Sequence, residues 1–394
     1  MPSKTLFTVT FGGWYQRTTL HLSEVYDLLA LGHSHLHLDI NKLAKFHEDF
    51  GFTSVTRETG DFEYVKCLTK NNIELRYYED GLYVLNLDSH DVALAQKILR
   101  TFYEEKLAPA LAYIFSLGAP TPKVLAAIKT VHPTVVSVVS SPSSRGVSRR
   151  LEGFNLGPVY SQITSPSLTV YKTPEYIVIF STSKFKHARE LIEMQIFFRE
   201  FKDQLHRYLN LHREVWEEIS DIKERGSIAG SEVELLRSQL DAYQKTISLI
   251  KSRISQMQTY VRTRASISKS LEIESHLSTI FQYKFETLAN THSYIQEIWK
   301  MTQEYVDTAI AVLNEVKSQS TSNGINSLRL ITTLGVLSGI FTYLSKDAFP
   351  KVTFIGLWYF IVLLLGTWTI NLVVGSFYNK SKYKLKFVEK LEMK

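Results

Sequence analysis

Three stretches carry residue types that could do chemistry. The densest is Gly32-His33-Ser34-His35-Leu36-His37-Leu38-Asp39. In an extended chain His33, His35 and His37 share one face, because side chains two apart point the same way. Imidazoles gathered on one face are a donor set for a transition metal, and the plainer reading is a solvent-facing strand edge or loop. The second stretch, residues 140–150, is rich in Ser and carries Arg145, Gly146, Arg149 and Arg150. Backbone amides and guanidinium groups of this kind can fold over a phosphate. The stretch lacks the Gly-Lys-Ser/Thr ending of a Walker loop, so a basic loop is the plainer reading. A divalent cation or a nucleotide is the ligand these two stretches would take. Paired carboxylates, a nucleophile elbow and a Gly-rich dinucleotide fingerprint are all missing from the sequence, and no enzyme is expected.

The third stretch is apolar and runs over 325–378. Residues 352–377 carry no charge and are built from Phe, Leu, Ile, Val, Trp and Gly. About 20 such residues cross a hydrocarbon core of ~30 Å. Residues 330–345 are shorter and seeded with Thr332, Thr333, Gly335, Ser338, Gly339 and Thr342. Small polar residues at that density predict a helix packed against copies of itself, or one lining water. The expectation is a two-helix transmembrane hairpin with a short connection at 346–351. Lys380, Lys382, Lys384, Lys386, Lys390 and Lys394 follow it. The positive-inside rule then places both termini in the cytoplasm of a multi-pass protein of the plasma or inner membrane.

The elements that would position these stretches change character along the chain. Of the 394 residues, 45 are Lys or Arg and 39 are Asp or Glu, a net charge of +6. Much of that excess lies in the C-terminal tail, so charge does not point to nucleic acid. Cys67 is the one cysteine, which leaves no disulfide framework. No apolar run follows Met1–Thr5, and no cleaved signal peptide is expected. Residues 1–182 read as an α/β domain, with strands at 6–11, 64–68, 73–78, 82–87, 135–139, 168–171 and 176–180. Asn71-Asn72 and Asp80-Gly81 supply turn signals, and 89–107 has helical periodicity. Residues 183–326 read as a helical stalk of three long helices. One seam runs from Leu191 through Phe201 and Tyr208 to Ile222, broken only by His212. The second runs from Val233 to Val261, with Ser231 and Glu234 as a capping box. The third runs from Phe281 through His292 and Trp299 to Val316, and is expected to continue unbroken from about residue 274 into the first apolar segment. Asn323-Gly324 is its one weak point. Residues 327–378 form the hairpin and 379–394 a basic tail.

This order of parts resembles the CorA-type divalent-cation channels. There, an α/β cytosolic domain is followed by a stalk helix that becomes the first span, a short outer loop, a second span and a basic tail. Gly339-Ile340-Phe341 matches the Gly-Ile-Tyr that commonly precedes the family's Gly-Met-Asn signature, but Thr342-Tyr343-Leu344 stands in place of the signature itself. The resemblance implies a homopentamer with Leu328, Thr332, Gly335, Gly339 and Thr342 lining a pore. Tyr343, Leu344, Ser345 and Asp347 would form its outer mouth. It implies an ion channel gated by a ligand on the cytosolic domain. Because Leu344 offers no amide oxygen, magnesium selectivity would be altered or weak. Relatives without the signature include CorA-like channels of antiviral, CRISPR-associated systems opened by a nucleotide messenger. The rival reading from another class is a non-conducting, membrane-anchored coiled-coil adaptor.

Overall fold

The alternation at 6–11 becomes β1 (Phe7–Trp14), which lies near the centre of a nine-stranded mixed sheet. A computed structural model describes residues 5–15, 21–60, 62–115, 132–139, 157–224, 227–344, 354–380 and 382–384. The other strands are β2 (Phe52–Glu58), β3 (Tyr64–Thr69), β4 (Glu74–Tyr78), β5 (Leu82–Ser89), β6 (Thr134–Val139), β7 (Ser161–Thr164), β8 (Leu168–Lys172) and β9 (Tyr176–Ser181). Their order is β2-β3-β4-β5-β1-β6-β9-β8-β7. Among the described residues β6 and β9 pair in parallel, while the other neighbours are antiparallel. The turn signals do their expected work, with Asn72 at φ 59° and Gly81 at φ 89°.

Chain contacts divide the molecule into two compact units, Met1–Leu211 with Leu249–Glu297, and His212–Ser248 with Ile298–Lys394. In the first unit, α1 (Leu22–Leu31), α2 (Ile40–Phe50) and α3 (Val92–Phe102) cover the sheet with Leu28, Leu43 and Leu99. These meet Val9, Val65, Leu75, Leu85, Val136 and Val178 from the strands. The helix expected at 89–107 starts at Asp91, whose carboxylate caps Leu94 N at 3.0 Å. It then widens into a π turn at Tyr103–Leu107 and resumes as α4 (Ala108–Phe115).

The long helices are α5 (Ala188–Glu224), α6 (Val233–Ser270), α7 (Glu274–Phe281), α8 (Phe285–Leu344) and α9 (Phe354–Lys380). Within the first unit, α6 is locked to the β4–β5 turn by a sealed ion pair. Arg264 Nε and Nη2 donate to Asp80 Oδ2 and Oδ1 at 2.8 and 2.9 Å. Both side chains are buried, and the guanidinium carbon lies 4.7, 4.9 and 5.3 Å from the rings of Phe62, Tyr78 and Phe197. Asp80 also accepts from Leu82 N at 3.1 Å, and its carbonyl accepts from Trp14 Nε1 at 2.7 Å. Helix α5 is tied in the same way. Arg199 donates to the carbonyls of Pro133 and Gly12 at 2.8 and 3.2 Å, and Tyr78 donates to Glu193 at 2.7 Å. Gly12 is needed here because a Cβ would sit 2.7 Å from the Tyr83 carbonyl oxygen.

The predicted seam positions are buried, from Leu191, Phe201 and Tyr208 on α5 to Val306, Leu313 and Val316 on α8. In the second unit His212 Nδ1 and Thr302 Oγ1 meet at 2.9 Å, and Trp216 stacks on Tyr305 at 4.5 Å. Two local expectations need correction. The third helix is not continuous from 274, because Gln282 takes a left-handed φ of 59° and separates α7 from α8. Past that point the expected continuity holds, with α8 running through Asn323-Gly324 without a break. Glu234 does not close a capping box on Ser231 but reaches Lys317 at 2.7 Å, and the residues before it form β10 (Ser227–Ala229).

The largest correction concerns 327–378. Among the described residues no helix is long and apolar enough to cross a membrane. The transmembrane hairpin, the ion-channel assignment and the multi-pass membrane location are therefore not supported. The expectation rested on an uncharged run rich in Phe, Leu, Ile, Val and Trp, but polar residues are scattered through both segments. The uncharged run includes Thr367, Thr369, Asn371 and Ser376, and the segment before it includes Arg329, Thr332 and Thr333. Hydroxyls, amides and charges lower the gain from transfer out of water.

Truncating Arg264 would leave Asp80 charged and sealed from water. Arg264→Ala should lower stability by about 3–5 kcal/mol, the range for an orphaned buried charge. The double change Asp80→Leu with Arg264→Met should recover much of it. Urea denaturation followed by circular dichroism checks both, and equal losses in the single and double variants would contradict this account.

Candidate functional site

The three histidines lie in an irregular turn, bent at 35–37, and do not converge on a point. Glu24 of α1 organises the turn by accepting from Ser34 Oγ at 2.7 Å and His35 N at 3.2 Å. With Ser34 buried and Leu36 and Leu38 half-buried, the alternation leaves His33, His35 and His37 exposed. The rings of His33 and His35 stand 5.3 Å apart edge to face, and His35 Nε2 lies 3.4 Å from Asp27 Oδ2. Among the described residues no group of three or more His, Cys, Asp or Glu side chains is placed to hold a metal ion. Arg145, Arg149 and Arg150 lie outside the described residues, as do Ser345 and Asp347.

Leu328, Thr332, Gly335, Gly339 and Thr342 share one face of α8, spaced by four and three, and all are exposed. A Cβ added at Gly335 or Gly339 would meet nothing within 4 Å. The hydroxyls turn back on their own helix: Thr332 donates to Leu328 O at 2.7 Å and Thr342 to Ser338 O at 2.8 Å. This leaves each threonine only its lone pairs to offer. Tyr343 and Leu344 end the helix.

Helix α9 carries a feature the sequence reading passed over. Phe354, Trp358, Ile361, Leu365, Trp368 and Leu372 recur at spacings of four, three, four, three and four. All are exposed, Phe354 at 78% and Trp368 at 61%. The exposed apolar surface is not confined to that line, since Ile355, Val362, Ile370 and Val373 beside it are exposed too. The signal was legible within the uncharged run. Leu330, Leu334 and Leu337 of α8 make a shorter stripe of the same kind, also exposed.

The first unit also holds buried ionisable groups outside the predicted sites. Burial pushes the Glu193 carboxyl above the usual range, against the pull of Tyr78, Arg76, Arg264 and Arg189. Burial likewise raises the Tyr15, Tyr83 and Tyr78 hydroxyls and the Cys67 thiol. His292 is sealed against the Ile254 carbonyl at 2.5 Å, and burial holds its imidazole below the ordinary value, as it does for His212. The two seam-breaking histidines are thus neutral packing groups with defined partners. No protein-family model matches this chain, and no curated protein matches it.

The histidines fix the sign of an acid effect. Below about pH 6.5 the unfolded chain takes up a proton at His292 that the folded protein refuses, so stability falls as pH falls through that value. Between pH 7.5 and 5.5 the wild type should lose more stability than His292→Gln, by on the order of 1 kcal/mol. Denaturation midpoints at the two pH values measure the difference, and parallel curves for the two proteins would contradict it.

Proposed function

We propose that this chain is a self-associating, ligand-responsive protein without enzymatic activity, whose C-terminal helices pack against those of further copies. The observation that carries the reading is the exposed apolar surface of α9. Large apolar side chains along most of a 27-residue helix far exceed the roughly few hundred Å² patch an ordinary monomer leaves open. The occupant is a copy of the same helix. A helix apolar on more than one side needs neighbours to cover it, and α8 offers exposed Leu330, Leu334 and Leu337 with a small-residue face that allows close approach. The five-subunit state and ligand sensing by the sheet unit, with a nucleotide messenger as the alternative ligand, rest on the CorA-like resemblance. The reading requires no bilayer.

Light scattering of the purified full chain should give a discrete oligomer, and Leu365→Glu with Trp368→Glu should reduce it to monomer without changing helix content. A wild-type monomer at micromolar concentration would overturn the reading. So would a monomer whose excess mass is bound detergent or lipid, since that makes lipid the occupant of the stripe.

A further inference from the structure

The chain leaving α9 does not run free. Residues Lys382–Lys384 form β11, which pairs antiparallel with β10 in the turn between α5 and α6. The register is Ser227 with Lys384, Ile228 with Tyr383 and Ala229 with Lys382. The turn is closed on its other side by Glu232, whose N–H donates to Ala229 O at 3.0 Å and whose carboxylate accepts from Ala229 N at 3.4 Å. All of these residues belong to the second unit.

We propose that this ribbon is a releasable strap: β11 unpairs from β10 while the helices stay folded, so the end of α9 is held in one state and free in the other. Three observations carry this. The ribbon is only three residues per strand, and an isolated two-stranded ribbon is marginal in water. Ile228 is 1% exposed, so closure has an apolar anchor and is not a chance contact of backbones. Opposing that anchor, the Tyr383 hydroxyl is shielded from water with no hydrogen-bond partner among the described residues. Shielding a hydroxyl without a partner penalises the closed state, and opening returns it to water. Opposed terms of this kind give a segment that opens well below the global unfolding free energy. The strap is independent of self-association, because it concerns pairing within one chain.

Hydrogen exchange on the full-length protein tests it. Amides of 227–229 and 382–384 should exchange together and faster than those in the buried part of α5. Tyr383→Phe removes the shielded hydroxyl and keeps the ring, so both segments should slow by about tenfold while α5 is unchanged. A disulfide between Ile228→Cys and Tyr383→Cys should form within one chain and abolish the fast exchange. The one native cysteine, Cys67, is buried and leaves the engineered pair to react alone. Exchange of both segments only with global unfolding would overturn the proposal. An unchanged rate in Tyr383→Phe, or a disulfide linking two copies, would overturn it as well. A monomeric wild type by light scattering would remove the self-association reading and leave these expectations standing.

Discussion

A guanidinium and a carboxylate enclosed by aromatic rings must find each other, because neither can be left alone out of water. Asp80 and Arg264 meet that constraint with two parallel hydrogen bonds, and much of the first unit is arranged around it. Asp80 occupies the turn between β4 and β5, where its carboxylate also caps the Leu82 amide. Arg264 stands on α6, a helix whose sequence gives no reason of its own to lie there. The desolvation cost of two charges is several kcal/mol per ion, so this pair is weak evidence for stability in itself. What it supplies is register. A shift of α6 by one turn, about 5.4 Å, would strand both charges.

The same logic recurs at lower stakes along α5. Arg199 reaches the carbonyls of Gly12 in β1 and Pro133 just before β6, Glu193 accepts from the Tyr78 hydroxyl, and Asp203 lies 3.0 Å from His132. Apolar burial from Leu191 to Tyr208 gives the helix its attraction to neighbours, and it is nearly indifferent to sliding. Directional polar contacts remove that indifference. The second unit shows the reverse balance. Its seams pair through Thr302 with His212 and through stacked Trp216 and Tyr305, yet α9 leaves large apolar side chains exposed.

The positions that were legible in the sequence share a physical cause. Strand alternation, Asn and Gly at left-handed turns, and helical seams from Leu191 to Val316 depend on backbone sterics and on burial of one face, which are local or periodic properties. That His33, His35 and His37 would not converge on a metal was not legible, since their placement depends on a turn organised by Glu24, nine residues or more upstream. The break at Gln282 gave no sign, because a non-glycine residue holds positive φ only where the surrounding packing requires it.

Sequence by itself determined that this chain has a strand-rich first half, long seamed helices after residue 184, and an uncharged, apolar C-terminal run. Period and composition suffice for each, because each follows from where water is excluded along a single element. Tertiary structure alone decided the order of the nine-stranded sheet, with β1 between β5 and β6, and the partners of Arg264, Arg199 and His292. It also decided that the chain after α9 returns to pair with the α5–α6 turn. Contacts between residues 184 positions apart, as for Asp80 and Arg264, leave no trace in local pattern. They exist because burying a charge is tolerable only beside its counter-charge, and the fold, not the chain, brings the two together.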